Sequence, residues 1–274
     1  RDVLGSRGLG DVYKRQPYVS SPFHAQVVQV IEHTLAENGF KMLLCNSANR
    51  PELERSYIDM LRRNMVDGVI VNSLNIGAEA YAEMGLSLVG IDCDLGETSV
   101  QIASDSYGIG ELATRRLIDD GCSRILCLRN NSRMRMPANK RTDAYHDVVE
   151  QAGLPALVRE VEFVKSDDEK SAVVAKILDE NPDIDGIFAG DDTMAAICLN
   201  VMKRRGLSAP DDIKVVGADG ARRTMTFMPD LTTVRQDIDR IGELAAQSII
   251  ALVNGEKPES NIKLPVELIE GKTA

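Results

Sequence analysis

With 274 residues the chain is long enough for two compact lobes, and a hydrophobic fraction of 43% supports real cores. A net charge of −10, no Trp and only 4% aromatics weigh against nucleic acid, base-stacking platforms or an anionic membrane as a direct partner of this stretch. No apolar run approaches membrane-spanning length, no basic-then-apolar signal peptide opens the chain, and the five cysteines and three histidines lack ligand spacing. A cytoplasmic protein with reduced cysteines, no metal and no cofactor is therefore expected.

Residues 1–16 carry three glycines and four basic residues that interrupt every apolar run. They read as a foreign stretch similar to translated adapter DNA, or as a flexible terminus. An inner strand would need several aliphatics before Pro17. Only Val12 and Tyr13 can serve there, so the segment is either disordered or a poor substitute strand beside 40–46 and 67–72. From Pro17 onward, apolar runs and helical patterns alternate. A helix is expected over 23–38, stopped by Gly39, then a strand from Phe40 to Asn46. A helix over 51–64 has Pro51 in its first turn. Strands follow at 68–72, 88–92 and 99–103, with helices over 76–84 and 107–120. The second half repeats the order, with strands at 125–129, 159–164, 186–191, 214–219 and 231–236. Its helices span 138–152, 168–180 and 193–205; a helix over 238–254 and a strand near 262–269 close the chain. The runs are continuously aliphatic and not alternating, as in parallel strands covered on both faces. Ligands bind outside the carboxyl ends of such strands. Asn46, Asn72, Asp92, Arg129, Asp191, Asp219 and Gln236 end the runs, and their amides, carboxylates and guanidinium suit a small hydroxylated molecule. Each alone is equally a helix cap; the set is better explained by a ligand rim.

Several residues have two readings. Arg141 opens a helix after a loop and either offers a planar fork to ligand oxygens or pairs on the surface with Asp143 or Glu150. Of Asp191 and Asp192, the second is assigned as cap of the following helix, which leaves Asp191 for ligand hydroxyls. Asp219 is a hydroxyl acceptor or a turn residue before Gly220, and Gln236 a ligand contact or a crossover residue. Phe23 offers a sugar ring an apolar face, or is buried in a first helical turn. The Gly108-Ile-Gly-Glu-Leu-Ala113 motif fits a dinucleotide phosphate, but three residues separate it from its strand. The competing reading is a helix start capped by Asp105 or Ser106, with small residues for close packing. No nucleophile triad is recognisable, and the pairs Asp92/Asp94 and Asp191/Asp192 give no reason to separate an acid from a base, so an enzyme is not expected.

In chain order the segments Ser20-Ser-Pro-Phe23, Asp67-Gly-Val-Ile70, Asp105, Leu112 to Gly121 and Arg141-Thr-Asp-Ala-Tyr145 form a series. It continues with Ala189-Gly-Asp-Asp192, Met194-Ala195, Pro210 to Asp219, Pro229 to Gln236 and Leu264-Pro-Val-Glu-Leu268. The series resembles the effector-binding core of the lactose-repressor family of bacterial transcription regulators over 17–270. The resemblance implies an α/β fold of two similar Rossmann-like lobes with parallel sheets joined by hinge crossovers, as in periplasmic binding proteins. The lobes would be 17–120 plus 238–262 and 121–237 plus 263–274. It further implies a small sugar or polyol effector bound between the lobes, with contacts at Phe23, Arg141, Asp191, Asp219 and Gln236. It implies a homodimer, and operator DNA reached only through a headpiece absent from this chain. A secreted sugar-binding receptor of a transport system shares the fold and is the alternative. Gly220 replaces the family's second carboxylate, Ala144-Tyr145 its glycine-aromatic pair, and Asp191 a usual amide, which leaves the ligand's identity open.

Overall fold

The computed structural model describes residues 10–16, 19–47, 50–63, 66–72, 81, 85–93, 95–96, 99–130, 137–162 and 165–274. The expected helix over 76–84, and Asp94, lie outside them, apart from Tyr81. The chain divides into two units. One runs through Ala103 and includes Ile238–Lys263; the other comprises Ser104–Asp237 and Leu264–Ala274. Each is built on one six-stranded sheet, and the strand pairs given below are parallel except where stated.

In the first unit the strand order is β11-β5-β4-β3-β1-β2. Its strands are β1 (Gly10–Gln16), β2 (Phe40–Asn46), β3 (Gly68–Val71), β4 (Ser87–Ile91), β5 (Val100–Ser104) and β11 (Asn261–Leu264). The helices are α1 (Pro22–Glu37), α2 (Pro51–Arg63) and α8 (Ile238–Val253). The structure corrects the picture of the terminus at 10–16. These residues form an inner strand, with Val12 opposite Met42 on one side and Gly68 on the other. Of the two readings given for this segment, the substitute strand is the one observed, because the ladder uses backbone groups that every non-proline residue has. Its weakness as a sequence persists: Lys14, 1% exposed, occupies an interior position beside Val12 and Tyr13.

The second unit has the order β12-β10-β9-β8-β6-β7. Its strands are β6 (Ile125–Arg129), β7 (Leu157–Glu160), β8 (Gly186–Phe188), β9 (Lys214–Asp219), β10 (Thr232–Gln236) and β12 (Val266–Ile269). Between them run α3 (Ser106–Asp119), α4 (Lys140–Gln151), α5 (Asp167–Glu180), α6 (Asp192–Arg204) and the short α7 (Arg222–Phe227). Side chains alternate across this sheet. Leu126, Leu128, Ile187 and Val215 pack with Val174, Ile177 and Cys198 of α5 and α6. Ile125, Cys127, Phe188, Val216 and Val234 pack with Ile109, Ala113, Leu117 and Tyr145 of α3 and α4. Both faces are covered, which is why the runs read as continuous.

Two boundaries differ from expectation. Helix α3 was expected with the first lobe; its apolar stripe Ile109, Ala113 and Leu117 is buried in the core of the second. The single strand expected near 262–269 is two. Pro265 has no N–H to give a ladder, so β11 ends before it in the first sheet, and β12 starts after it in the second, antiparallel to β10.

Candidate functional site

The carboxyl ends of β6, β8, β9 and β10 bring four of the expected residues together in the second unit. Arg141, in the first turn of α4, sends Nη1 to the carbonyl of Gly190. Its Nη2 lies 3.6 Å from Asp219 Oδ1, with the two side chains 14% and 17% exposed. Gln236 Nε2 donates to the same Asp219 oxygen at 2.7 Å. The Nε of Arg141 is buried without a hydrogen-bond partner. Arg141 also lines a pocket of ≈ 50 Å³ with Cys127, Arg129, Asn130, Thr142 and Asp191. That space accepts water-sized polar groups, such as hydroxyls. A buried guanidinium N–H without a partner is costly, and an oxygen that meets it relieves that cost.

Asp219 ends β9 with φ +114, a conformation that side chains other than hydrogen rarely adopt. Such strain persists where neighbours over-determine it, and it concentrates at functional sites. Here the neighbours are Gln236 and Arg141. Burial raises the Asp219 carboxyl well above the usual carboxylate range, with Asp192 and Asp191 adding repulsion and Arg141 opposing them. Burial likewise raises Asp191.

The cap of α6 is Asp191 and not Asp192, the residue expected to cap it, and Asp191 also lines the pocket. Asp191 caps α6, its Oδ1 accepting from the Met194 amide at 2.7 Å. Asp192, 3% exposed, lies over the sheet and accepts from the Gly220 amide at 2.8 Å and the Thr233 hydroxyl at 2.6 Å. The reason is register: the extended residue before the first turn is Asp191, so its carboxylate meets the free amides. Burial pushes the Asp192 carboxyl up to about 7, against the pull of the Thr233 and Gly220 hydrogen bonds.

The motif at 108–113 takes the packing role. Asp105 caps α3 by accepting from the Gly108 amide at 3.1 Å. A Cβ on Gly110 would fall 2.1 Å from the Arg141 carbonyl oxygen, so Gly110 exists to let α3 touch the backbone of the residue that carries the guanidinium. Arg129 stays at the pocket edge, 3.9 Å from Glu160.

Phe23 is in the first unit, 6% exposed in the first turn of α1, with its ring edge-on to His24 at 5.3 Å. The polar pair at this rim is Asn72, named among the strand ends in the sequence, and His24, which the sequence reading passed over. Asn72 Nδ2 donates to the Ile91 carbonyl at 2.7 Å, so its Oδ1 faces His24 Nε2 at 3.1 Å as an acceptor. His24 then carries its proton on Nε2, and its buried Nδ1 has no hydrogen-bond partner. Burial and the Lys14 charge lower its pKa to about 4, against the Asn72 hydrogen bond. The signal available in the sequence was the position of Asn72 at a strand end together with a histidine one residue after Phe23.

A family model described as a periplasmic binding protein-like domain matches residues 114–274. A sucrose operon repressor of Pediococcus pentosaceus is 33% identical over 258 residues, 93% of this chain and 79% of the relative. A ribose operon repressor of Halalkalibacterium halodurans is 30% identical over 259 residues, 94% and 77% of the two chains. Among solved structures, a periplasmic binding protein/regulator from Alkaliphilus metalliredigens complexed with D-xylulofuranose superimposes with a TM-score of 0.85. It is 25% identical, with 96% of this chain and 98% of that one covered.

Proposed function

The chain belongs to the lactose-repressor family of bacterial transcription regulators, as an effector-binding core, and we propose that it senses a neutral, hydroxyl-rich molecule of the sugar class. Its relatives are operon repressors and not enzymes, and they favour a regulator over a secreted receptor. The observation that carries the reading is Arg141, whose buried Nε has no partner while Asp219 and Gln236 stand beside it as acceptor and donor. Such a set reads adjacent hydroxyls, because each can donate to the carboxylate and accept from the guanidinium or amide. Asp191 and Asp219 oppose a phosphorylated ligand, since Arg141 and Arg129 do not outnumber them. Sucrose and ribose, named for the relatives, are the first candidates.

The regulator acts in the cytoplasm as a homodimer, with operator DNA met through a headpiece outside this sequence. Supporting a second copy, Leu43 and Leu44 are 48% and 41% exposed on the edge strand β2, and Phe227 is 77% exposed. No helix among the described residues is long and apolar enough to cross a membrane.

A thermal-shift panel of sucrose, ribose and their phosphates tests the reading. A rise in melting temperature with a neutral sugar, abolished by Arg141→Ala at a cost of about 2–4 kcal/mol in binding, is expected. A response to the phosphates alone would overturn it.

A further inference from the structure

Asp192 does not face the pocket, caps nothing and is nevertheless held in place on three sides. Its carboxylate accepts from the Gly220 amide and from the Thr233 hydroxyl, which joins α6 to the end of β9 and to β10. Beneath it is Gly217, where an added Cβ would fall 2.4 Å from Asp192 Oδ1, so the strand is stripped of its side chain where the carboxylate lies. The amide it grips belongs to the residue after Asp219. The peptide between them follows a φ of +114 at Asp219 and precedes a φ of +63 at Gly220. A turn of that kind has no intrinsic preference for a non-glycine residue and must be pinned from outside.

We propose that Asp192 is a positioning residue of the effector site: by holding the Gly220 amide and the Thr233 hydroxyl, it fixes the turn that aims Asp219 at Arg141 and Gln236. The proposal rests on the sugar-sensing reading only for what the site binds; the positioning itself is a property of the ligand-free protein. The charged groups around Asp192 are Asp191 at the cap of its helix, Asp219 on β9 and Arg141 on α4, while β10 presents the neutral Thr233 and Gln236. An ionised Asp192 accepts from both donors strongly, whereas a protonated one turns an oxygen into a donor and accepts more weakly.

The test uses the ligand-free chain and nuclear magnetic resonance. The Gln236 side-chain amide reports whether Asp219 is still aimed, since it donates to that carboxylate. Asp192→Ala should move it to the free-amide position and speed hydrogen exchange at Gly220 by about tenfold or more. Asp192→Asn should restore both, because its Oδ1 still accepts from Gly220 while its amide donates to the Thr233 oxygen. A Gln236 amide unchanged in Asp192→Ala, or a Gly220 amide that exchanges no faster there, would overturn the proposal. If Asp192→Ala does not fold, Thr233→Val takes its place: it removes one of the two donors that Asp192 holds, and the Gln236 and Gly220 signals should move in the same directions. None of these outcomes bears on which sugar binds, so the functional reading stands or falls separately.

Discussion

At the scale of single residues, the site trades stability for readiness. Asp219 combines a left-handed backbone, a buried carboxyl and two carboxylate neighbours. Replacing it with glycine relieves the backbone strain and removes the buried carboxyl, so Asp219→Gly should stabilise the chain by about 1 kcal/mol or more while abolishing sugar binding. Denaturant melts and calorimetric titration check the pair; a destabilised variant would mean that its bonds to Gln236 and Arg141 outweigh the strain. The titrations of His24 and Asp192 run in opposite directions. His24, lowered to about 4 from 6.5, favours the fold above 6.5 and loses that contribution as pH falls toward 4. Asp192, raised from 3.8 to about 7, favours the fold below about 4 and loses that contribution as pH rises through 7. Melting temperatures measured from pH 4 to 8 should therefore rise more on acidification in His24→Gln than in wild type, and less in Asp192→Asn. Identical profiles in all three would show that neither group differs between folded and unfolded chains.

At the scale of elements, α3 and α4 set where the guanidinium starts. Gly110 brings the two helices into backbone contact at Arg141. Gly110→Ala should cost about 1–3 kcal/mol by overpacking, and should weaken effector binding as well, because the strain falls on the residue that binds. By contrast, Tyr145 spans the same helix and the sheet, its hydroxyl donating to Ile125 O at 2.7 Å and accepting from Leu157 N at 2.8 Å. Tyr145→Phe should cost about 1–3 kcal/mol by leaving those groups unpaired, with sugar affinity unchanged. Measuring both variants by melts and titration separates site geometry from general stability. Strand and helix positions were legible because burial on both faces leaves an unbroken aliphatic run, and helices carry a stripe such as Ile109, Ala113 and Leu117. Membership of α3 was not legible, since an apolar stripe does not say which core it enters. Nor was the aspartate that caps α6: the pair Asp191-Asp192 offers two equal carboxylates, and a one-residue difference in where extended backbone gives way to helix decides between them.

At the scale of the whole molecule, the rim of strand ends was readable and its depth was not. Asn72, Arg129, Asp191, Asp219 and Gln236 all stand at carboxyl ends, as a parallel sheet requires. Phe23 and His24 show what was hidden: adjacent residues in one helical turn differ in role because only three-dimensional packing sets the tautomer through Asn72 and Ile91. Sedimentation should find a dimer at micromolar concentration, weakened by Leu44→Asp on the β2 edge; a monomer throughout would remove the role given to that edge. The central claim, that Arg141 and Asp219 are built to receive a neutral sugar, is tested most directly by following the Arg141 Nε–H resonance while sucrose or ribose is added. The account predicts a saturable shift of that signal and of the Gln236 side-chain amide with one of the two sugars. Saturable binding of either sugar that leaves both signals unmoved would contradict it.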